Sequence, residues 1–197
     1  LPRQLDGEGA AILQKQLEGM GLKFILGAKS KSIKEKGHTR ILELADGRVI
    51  ESDFILVSAG IIPNTTLART AGISVNKGVL VNDGMETNIA SIYAAGDVAE
   101  HKGRVYGIWP ASQRQGVVAG INMAGGNETY MGTVPSTTLK VAGIRLTSMG
   151  DVLAEDKAIE QIKVKDTDKY IYKKLFIKDG RLVGAILLGD NKNASEL

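Results

Sequence analysis

The stretch from Thr87 to Asp97 constrains the fold of this chain more than any other part of its sequence. Its apolar run, Ser91-Ile-Tyr-Ala-Ala, has the length and continuity of a strand that is covered on both faces, as in α/β sheets. The run ends in Gly96-Asp97, and ligands of open α/β sheets bind beyond the carboxyl ends of the strands. Glycine permits close approach, and a carboxylate accepts hydrogen bonds from the hydroxyls of a sugar or polyol. From this pattern alone, Asp97 is either such a ligand or an aspartate that caps a turn.

The beginning of the chain predicts a helix that leads into a strand at Phe24–Leu26. Asp6 has the position of an N-cap, and Gly19 and Gly21 mark the end of the helix. Between them the apolar residues recur at helical spacing: Ala10, Leu13, Leu17 and Met20. Gly7-Glu8-Gly9 is not a dinucleotide-binding fingerprint, because position 12 is Ile and no strand precedes it. These glycines are therefore expected in the first turn of an ordinary helix.

Turn residues divide the remainder of the chain into further elements. Hairpin turns are predicted at Gly37, at Asp46-Gly47 and at Asp179-Gly180. A helix lined with small residues is predicted from Ala111 to Met123, and the chain is expected to leave the sheet at Val98-Ala99. The predicted strands are Lys31–Glu35, Arg40–Leu44, Phe54–Ser58, Gly78–Val81, Ser91–Ala95, Tyr170–Ile177 and Leu182–Leu188. Domain boundaries are expected near residues 66 and 130.

Composition excludes several classes of function. The 25 basic and 22 acidic side chains give a net charge of only +3 and alternate along the chain, so no nucleic-acid partner is expected. Cysteine is absent, which excludes disulfides and catalytic thiols in this chain, and neither His38 nor His101 has a partner at metal-ligand spacing. No apolar run is long enough to span a membrane, and Leu1-Pro2-Arg3 is unlike a signal peptide. A cytoplasmic protein without a metal or membrane site is therefore expected.

Three motifs together resemble the FAD-dependent pyridine nucleotide–disulfide oxidoreductase superfamily. Thr87 to Asp97 is similar to its second flavin-binding motif, which implies that Asp97 binds the ribityl chain of FAD. Ser58 to Asn64 resembles the stretch where the NAD-binding domain returns to the FAD domain, and the start of the chain resembles the second half of that NAD domain. The most similar subgroup contains NADH oxidases, rubredoxin–NAD reductases and the flavin domain of nitrite reductases.

The resemblance implies further cofactor-binding residues. In the superfamily, the helix that begins here at Trp109-Pro110-Ala111 points its N-terminus at the flavin, where its dipole stabilises the reduced ring. Gly96 and Ala111 are therefore expected beside FAD, with Gln113 and Gly116 in the first two turns. Trp109 is either a flavin neighbour or a core residue, and Gly60 is either close to the nicotinamide or a strand-end glycine without a ligand. Tyr93 and Tyr106 are assigned to packing.

The implied architecture combines α/β and α+β parts. Residues 1–66 would be the second half of an NAD(P)-binding domain, residues 67–129 the C-terminal part of an FAD-binding domain, and residues 130–197 a small α+β interface domain. The activity implied is hydride transfer from NAD(P)H to FAD and then electron transfer to oxygen, peroxide, rubredoxin, a disulfide or a siroheme partner. The interface domain commonly supports dimerisation in the superfamily, so the resemblance is compatible with a homodimer.

Both glycine loops that bind dinucleotide phosphates are absent from this sequence, and no side chain is an obvious catalytic acid, base or nucleophile. This fragment is therefore expected to bind FAD weakly or not at all and to be inactive alone. Two alternatives stay open. One is a flavoprotein-like binding or signalling module without fast turnover, and the other is a non-flavin α/β binding domain in which Gly96-Asp97 is a structural turn.

Overall fold

The computed structural model of the protein describes residues 4–153, 156–192 and 194. The chain forms two compact units. The main unit consists of Leu1–Ile12 and Ile61–Leu197, and the small unit of Leu13–Gly60. Within the described ranges, no helix combines the length and the apolarity needed to cross a membrane.

Helix α1 (Gly7–Gly19) begins where the sequence predicts it. The backbone N–H of Gly9 donates a hydrogen bond of 3.0 Å to Oδ1 of Asp6, which is the geometry of an N-cap. The predicted cap is therefore confirmed, and so is the placement of Gly7-Glu8-Gly9 in the first turn of a helix.

The small unit contains an antiparallel sheet of three strands in sequential order: β1 (Ser30–Lys36), β2 (Thr39–Leu44) and β3 (Val49–Ser52). The first turn contains Gly37, and the second contains Asp46-Gly47. In the second turn, Gly47 has a φ of +88°, and the Asp46 carboxylate accepts a hydrogen bond from the backbone N–H of Arg48. Both predicted hairpin turns are confirmed, because their glycines supply backbone angles that other residues rarely adopt.

Two predicted strands of the small unit are wrong. Neither Phe24–Leu26 nor Phe54–Ser58 pairs with any strand in the part of the chain that the structure describes. Their apolar side chains are exposed, with Phe54 at 75% and Leu56 at 78%. A strand needs a neighbouring strand to receive its backbone hydrogen bonds, and apolarity alone does not supply that neighbour.

In the main unit, β4 (Val79–Val81) pairs in parallel with β5 (Ala99–His101). The strand predicted at Ser91–Ala95 is wrong, since only Tyr93 makes an isolated bridge, to Glu86. The chain also does not leave the sheet at Val98-Ala99, because Ala99 starts β5. Two helices complete this part: α2 (Thr66–Thr70) and α3 (Trp109–Met123).

The core beside α3 is built on buried Met85, Val118, Ala119 and Tyr130. Tyr93 and Tyr106 pack against this cluster and are partly buried, which confirms their assignment to packing. The ring of Tyr106 meets that of Tyr130 edge-on, with centroids 5.9 Å apart. Aromatic pairs prefer this arrangement, so the cluster fixes the loop before α3 against the segment after it.

The C-terminal part of the main unit is an antiparallel sheet of five strands in the order β6-β7-β10-β9-β8. The predicted hairpin across Asp179-Gly180 is confirmed, and both turn residues have positive φ, as a two-residue turn of this kind requires. Strand β8 lies at the sheet edge and was not predicted. The strands are β6 (Ser136–Val141), β7 (Ile144–Gly150), β8 (Glu160–Asp166), β9 (Ile171–Lys178) and β10 (Arg181–Leu188).

Asp6 joins the beginning of α1 to this sheet. Its Oδ2 accepts hydrogen bonds of 2.7 Å from the hydroxyl of Tyr172 and from Nζ of Lys174, both on β9. Burial raises the pKa of Asp6, but the hydrogen bonds from Lys174, Tyr172 and Gly9 outweigh it, so the pKa lies below its ordinary value. One carboxylate therefore caps a helix and anchors a strand more than 160 residues away.

Candidate functional site

Gly96 and Asp97 lie in a short 3-10 turn, Gly96–Val98, directly before β5. We call this segment the Gly-Asp turn. Gly96 has a φ of +83°, a conformation that favours glycine. A Cβ added at Gly96 would lie 3.6 Å from the Ser112 side chain, which is an ordinary contact. The backbone angle, and not lack of space, therefore explains the glycine.

The carboxylate of Asp97 is exposed and only partly occupied by hydrogen bonds. Its Oδ1 accepts a hydrogen bond of 3.1 Å from the hydroxyl of Ser112, in the first turn of α3. Its Oδ2 has no hydrogen-bond partner among the residues that the structure describes. Because an ionised carboxylate has about four acceptor positions, Asp97 can still accept hydrogen bonds from a ligand.

Helix α3 presents its N-terminus at the same place. Pro110 is in its first turn, Ile108 is the N-cap residue, and no side chain among the described residues caps the helix. The first-turn N–H groups carry a partial positive charge, so the end of α3 favours a carboxylate or another anion. Ala111 is fully buried, whereas Trp109 is 79% exposed. The alternative that Trp109 is a core residue is therefore wrong for the described structure.

A buried amide holds the Gly-Asp turn to α3. The backbone N–H of Gly96 donates a hydrogen bond of 2.8 Å to Oε1 of Gln115, which is only 1% exposed. Gln113 and Gly116 on this helix were predicted near the site, whereas Gln115 was not. Gln113 and Gly116 are exposed, and a Cβ added at Gly116 meets no atom within 4 Å. The sequence carries no local signal for Gln115, because its contact is with a residue 19 positions earlier.

Gly60 belongs to the small unit and is exposed. Its φ is +89°, and a Cβ at this position would meet no atom of the described residues within 4 Å. The conformation, rather than close packing in the described structure, accounts for glycine here. The expected position of Gly60 near the nicotinamide stays a prediction.

His101 is explained without a metal. It is 2% exposed, and its Nε2 lies 2.7 Å from Oδ1 of Asp83, which also pairs with Lys102. Hydrogen bonds from Lys102 and from His101 keep the pKa of Asp83 below its ordinary value. In the described part of the chain, no cluster of three His, Cys, Asp or Glu side chains could hold a metal ion.

Solved structures with the same fold define the class of protein. NADH:rubredoxin oxidoreductase from Clostridium acetobutylicum superimposes with a TM-score of 0.68 at 28% identity, over 100% of this chain and 48% of that one. An NAD-dependent persulfide reductase from A. fulgidus gives a TM-score of 0.80 at 25% identity, over 98% of this chain and 40% of that one. The fold is therefore that of the FAD- and NAD-binding reductases, with a C-terminal interface domain.

Sequence comparison identifies the family. The pyridine nucleotide-disulphide oxidoreductase family matches residues 1–116, and the rubredoxin NAD+ reductase C-terminal domain matches residues 135–197. The chain therefore belongs to the pyridine nucleotide-disulphide oxidoreductase family. It is 39% identical to nitrite reductase [NAD(P)H] of Bacillus subtilis, over 100% of this chain and 24% of that protein. It is 33% identical to NADH-rubredoxin oxidoreductase of C. acetobutylicum, over 96% of this chain and 46% of that protein. The chain thus spans from a quarter to about half of the length of these relatives.

Proposed function

We propose that this chain is part of an FAD-dependent NAD(P)H oxidoreductase, in which hydride passes from NAD(P)H to FAD and electrons then pass to an acceptor. Family membership supports the class of reaction. The observation that carries the proposal is the position of the exposed Asp97 carboxylate, held by Ser112 at the N-terminus of α3. A hydrogen-bond acceptor and a helix dipole are thereby placed side by side.

The residues of this site fit the chemistry of a flavin nucleotide. Asp97 would accept hydrogen bonds from the ribityl hydroxyls, and Gly96 would let the ligand approach the turn closely. Trp109, Pro110 and Ala111 would place the positive end of α3 against the flavin. FAD supplies the hydride-accepting and electron-transferring chemistry when it is bound. The role of the chain's own residues is to hold the cofactor and to favour negative charge beside the helix end.

The small unit fits a place in the NAD(P)-binding domain. Phe54, Leu56 and Leu26 are each more than 70% exposed, although their segments have the composition of buried strands. We propose that residues 1–66 are the second half of that domain. In the full-length protein, the apolar side chains of Phe54 and Leu56 would be covered by segments that correspond to the part of the relatives that this chain does not match. Gly60 would then lie on the nicotinamide side of the bound NAD(P)H.

The remaining domains follow the same scheme. Residues 67–129 would form the C-terminal part of the FAD-binding domain, and residues 130–197 the interface domain, which would support a homodimer. Rubredoxin and nitrite occur in the names of relatives, so rubredoxin and a siroheme partner are proposed as acceptors beside oxygen, peroxide and a disulfide. The protein is proposed to act in the cytoplasm.

Flavin binding by the full-length protein tests the proposal. The protein as purified, or after addition of FAD, should show a flavin spectrum that NADH bleaches without oxygen. Asp97→Ala should raise the Kd for FAD by about tenfold to a hundredfold, since hydrogen bonds to a charged group contribute about 1.5–3 kcal/mol. Asp168→Ala, which removes an exposed aspartate from the turn between β8 and β9, is the matched control and should leave the Kd unchanged. A protein that stays colourless with FAD would overturn the proposal, and equal affinity of the Asp97→Ala variant would remove Asp97 from the site.

A further inference from the structure

Gln115 is a buried polar side chain that burial alone does not explain. It is 1% exposed, and Oε1 accepts the hydrogen bond from Gly96. Its Nε2 is buried and makes no close hydrogen bond in the described ranges, although the Gln115 amide lies near enough to Tyr130 to act on the pKa of its hydroxyl. A buried donor without a partner is unfavourable, so leucine would be preferred here if the position needed only packing. The contact made by the amide oxygen therefore has to explain why a glutamine occupies this position.

The oxygen holds the residue next to Asp97. Ser112 and Gln115 are three residues apart on α3 and so lie on the same face of the helix. Ser112 contacts the carboxylate of Asp97, and Gln115 contacts the backbone of Gly96. Two adjacent residues of the Gly-Asp turn are thus fixed to one helix face: Asp97 through its side chain and Gly96 through its backbone.

The two contacts differ in what they control. The Ser112 hydroxyl is shared between Asp97 and the carbonyl of Ile108, at 3.1 Å and 3.2 Å, so it offers a weak and divided anchor. The hydrogen bond from Gly96 to Gln115 is shorter, at 2.8 Å, is partly buried and acts on the backbone. Because Gly96 has a positive φ and little intrinsic conformational preference, an external contact is needed to fix its backbone angles.

We propose that Gln115 is a positioning residue: through the backbone N–H of Gly96 it holds the Asp97 carboxylate at the N-terminus of α3, ready to receive the hydroxyls of the flavin nucleotide. The inference rests on the proposed flavin site and adds a determinant of its affinity. Loss of the contact frees the Gly-Asp turn, so the cofactor must then order the turn on binding.

Exchange of the Gly96 amide hydrogen, followed by NMR on the 197-residue chain, tests the contact without any cofactor. Gln115→Leu removes the acceptor at nearly constant volume and should accelerate exchange at Gly96 at least tenfold. Gln115→Glu keeps an acceptor oxygen and should restore most of the protection. Val118→Ala, which opens a cavity in the core one turn further along α3, is the control for lost packing and should leave Gly96 protected. Unchanged exchange at Gly96 in the Gln115→Leu variant would overturn the inference.

FAD affinity of the full-length variants tests the consequence. Gln115→Leu should raise the Kd for FAD about tenfold, and Val118→Ala should not, even where both lower the melting temperature. If the unaltered protein binds FAD but Gln115→Leu binds it equally well, only the positioning role fails. If the unaltered protein binds no FAD, the proposed function fails, and the flavin role of Gln115 fails with it.

Discussion

Two replacements of Asp6 should distinguish its contribution to stability as a helix cap from its contribution as an anchor of β9, because its two carboxylate oxygens have different partners. Oδ1 accepts from Gly9, whereas Oδ2 accepts from Tyr172 and Lys174. The side chains of Asp6 and Lys174 are only 18% and 13% exposed, so solvent screens their ion pair weakly. Asp6→Asn keeps an oxygen for the cap and loses the ion pair, while Asp6→Ala loses both.

The expected losses differ in size. A hydrogen bond to a charged group contributes about 1.5–3 kcal/mol, and an N-cap about 1 kcal/mol. We therefore expect Asp6→Asn to lower the free energy of unfolding by about 2 kcal/mol, and Asp6→Ala by about 3 kcal/mol. Urea titrations of the chain followed by circular dichroism would measure both. Glu8→Gln, which removes an exposed ion pair with Lys163, is the control and should change little.

The pH dependence has a defined sign. Since the pKa of Asp6 is lowered in the folded protein, its contribution is present above the unfolded-state value near 3.8 and is lost as the pH falls through the folded-state value. The difference between the unaltered protein and Asp6→Asn should therefore be constant at neutral pH and shrink below about pH 4. If Asp6→Ala destabilises no more than Glu8→Gln, or if the difference grows in acid, Asp6 is not the anchor described.

Two other outcomes are expected. Amides of Phe54–Ser58 should exchange quickly in the 197-residue chain and slowly in a full-length protein that covers this segment, whereas equally fast exchange in both would contradict the proposed burial. Gly150→Ala should destabilise the chain by roughly 2–5 kcal/mol, because the new Cβ would lie 2.0 Å from the carbonyl oxygen of Val183 at a φ of +70°. Gly116→Ala, in an open helical position, should stabilise it by about 0.5–1 kcal/mol. Denaturation that ranks these two variants in the opposite order would refute both assignments.

Local chemistry made part of the fold predictable from the sequence. The cap at Asp6 and the turns at Gly37, Asp46-Gly47 and Asp179-Gly180 depend on backbone angles and hydrogen bonds among neighbouring residues. Phe54–Ser58 and Ser91–Ala95 were predicted as strands because they are apolar, but a strand depends on a partner elsewhere. Strand β8 was missed although Ile162 and Val164 alternate with lysines, which is the period-2 pattern of a strand, so this signal was available in the sequence.

The candidate site was predictable only in part. Gly96 and Asp97 stand out because a strand-like run ends there, and the start of α3 stands out because of Pro110. Gln115 resembles any other glutamine in a helix until the fold places Gly96 beside it, 19 residues away in sequence. The contacts of Asp6 with β9 could not be predicted from the sequence either, because no local pattern links residues so distant along the chain.

The contact between Asp6 and β9 also sets an order of events during synthesis. The chain leaves the main unit after Ile12 and returns to it at Ile61, and the partners of Asp6 follow only at Tyr172 and Lys174. At typical elongation rates of about 5–20 residues per second, the ribosome adds Tyr172 and Lys174 on the order of ten seconds or more after Asp6. The β1–β2 hairpin, whose strands are adjacent in sequence, can form within microseconds of emerging. The small unit is therefore expected to acquire structure first, and the main unit closes only when the final hairpin arrives.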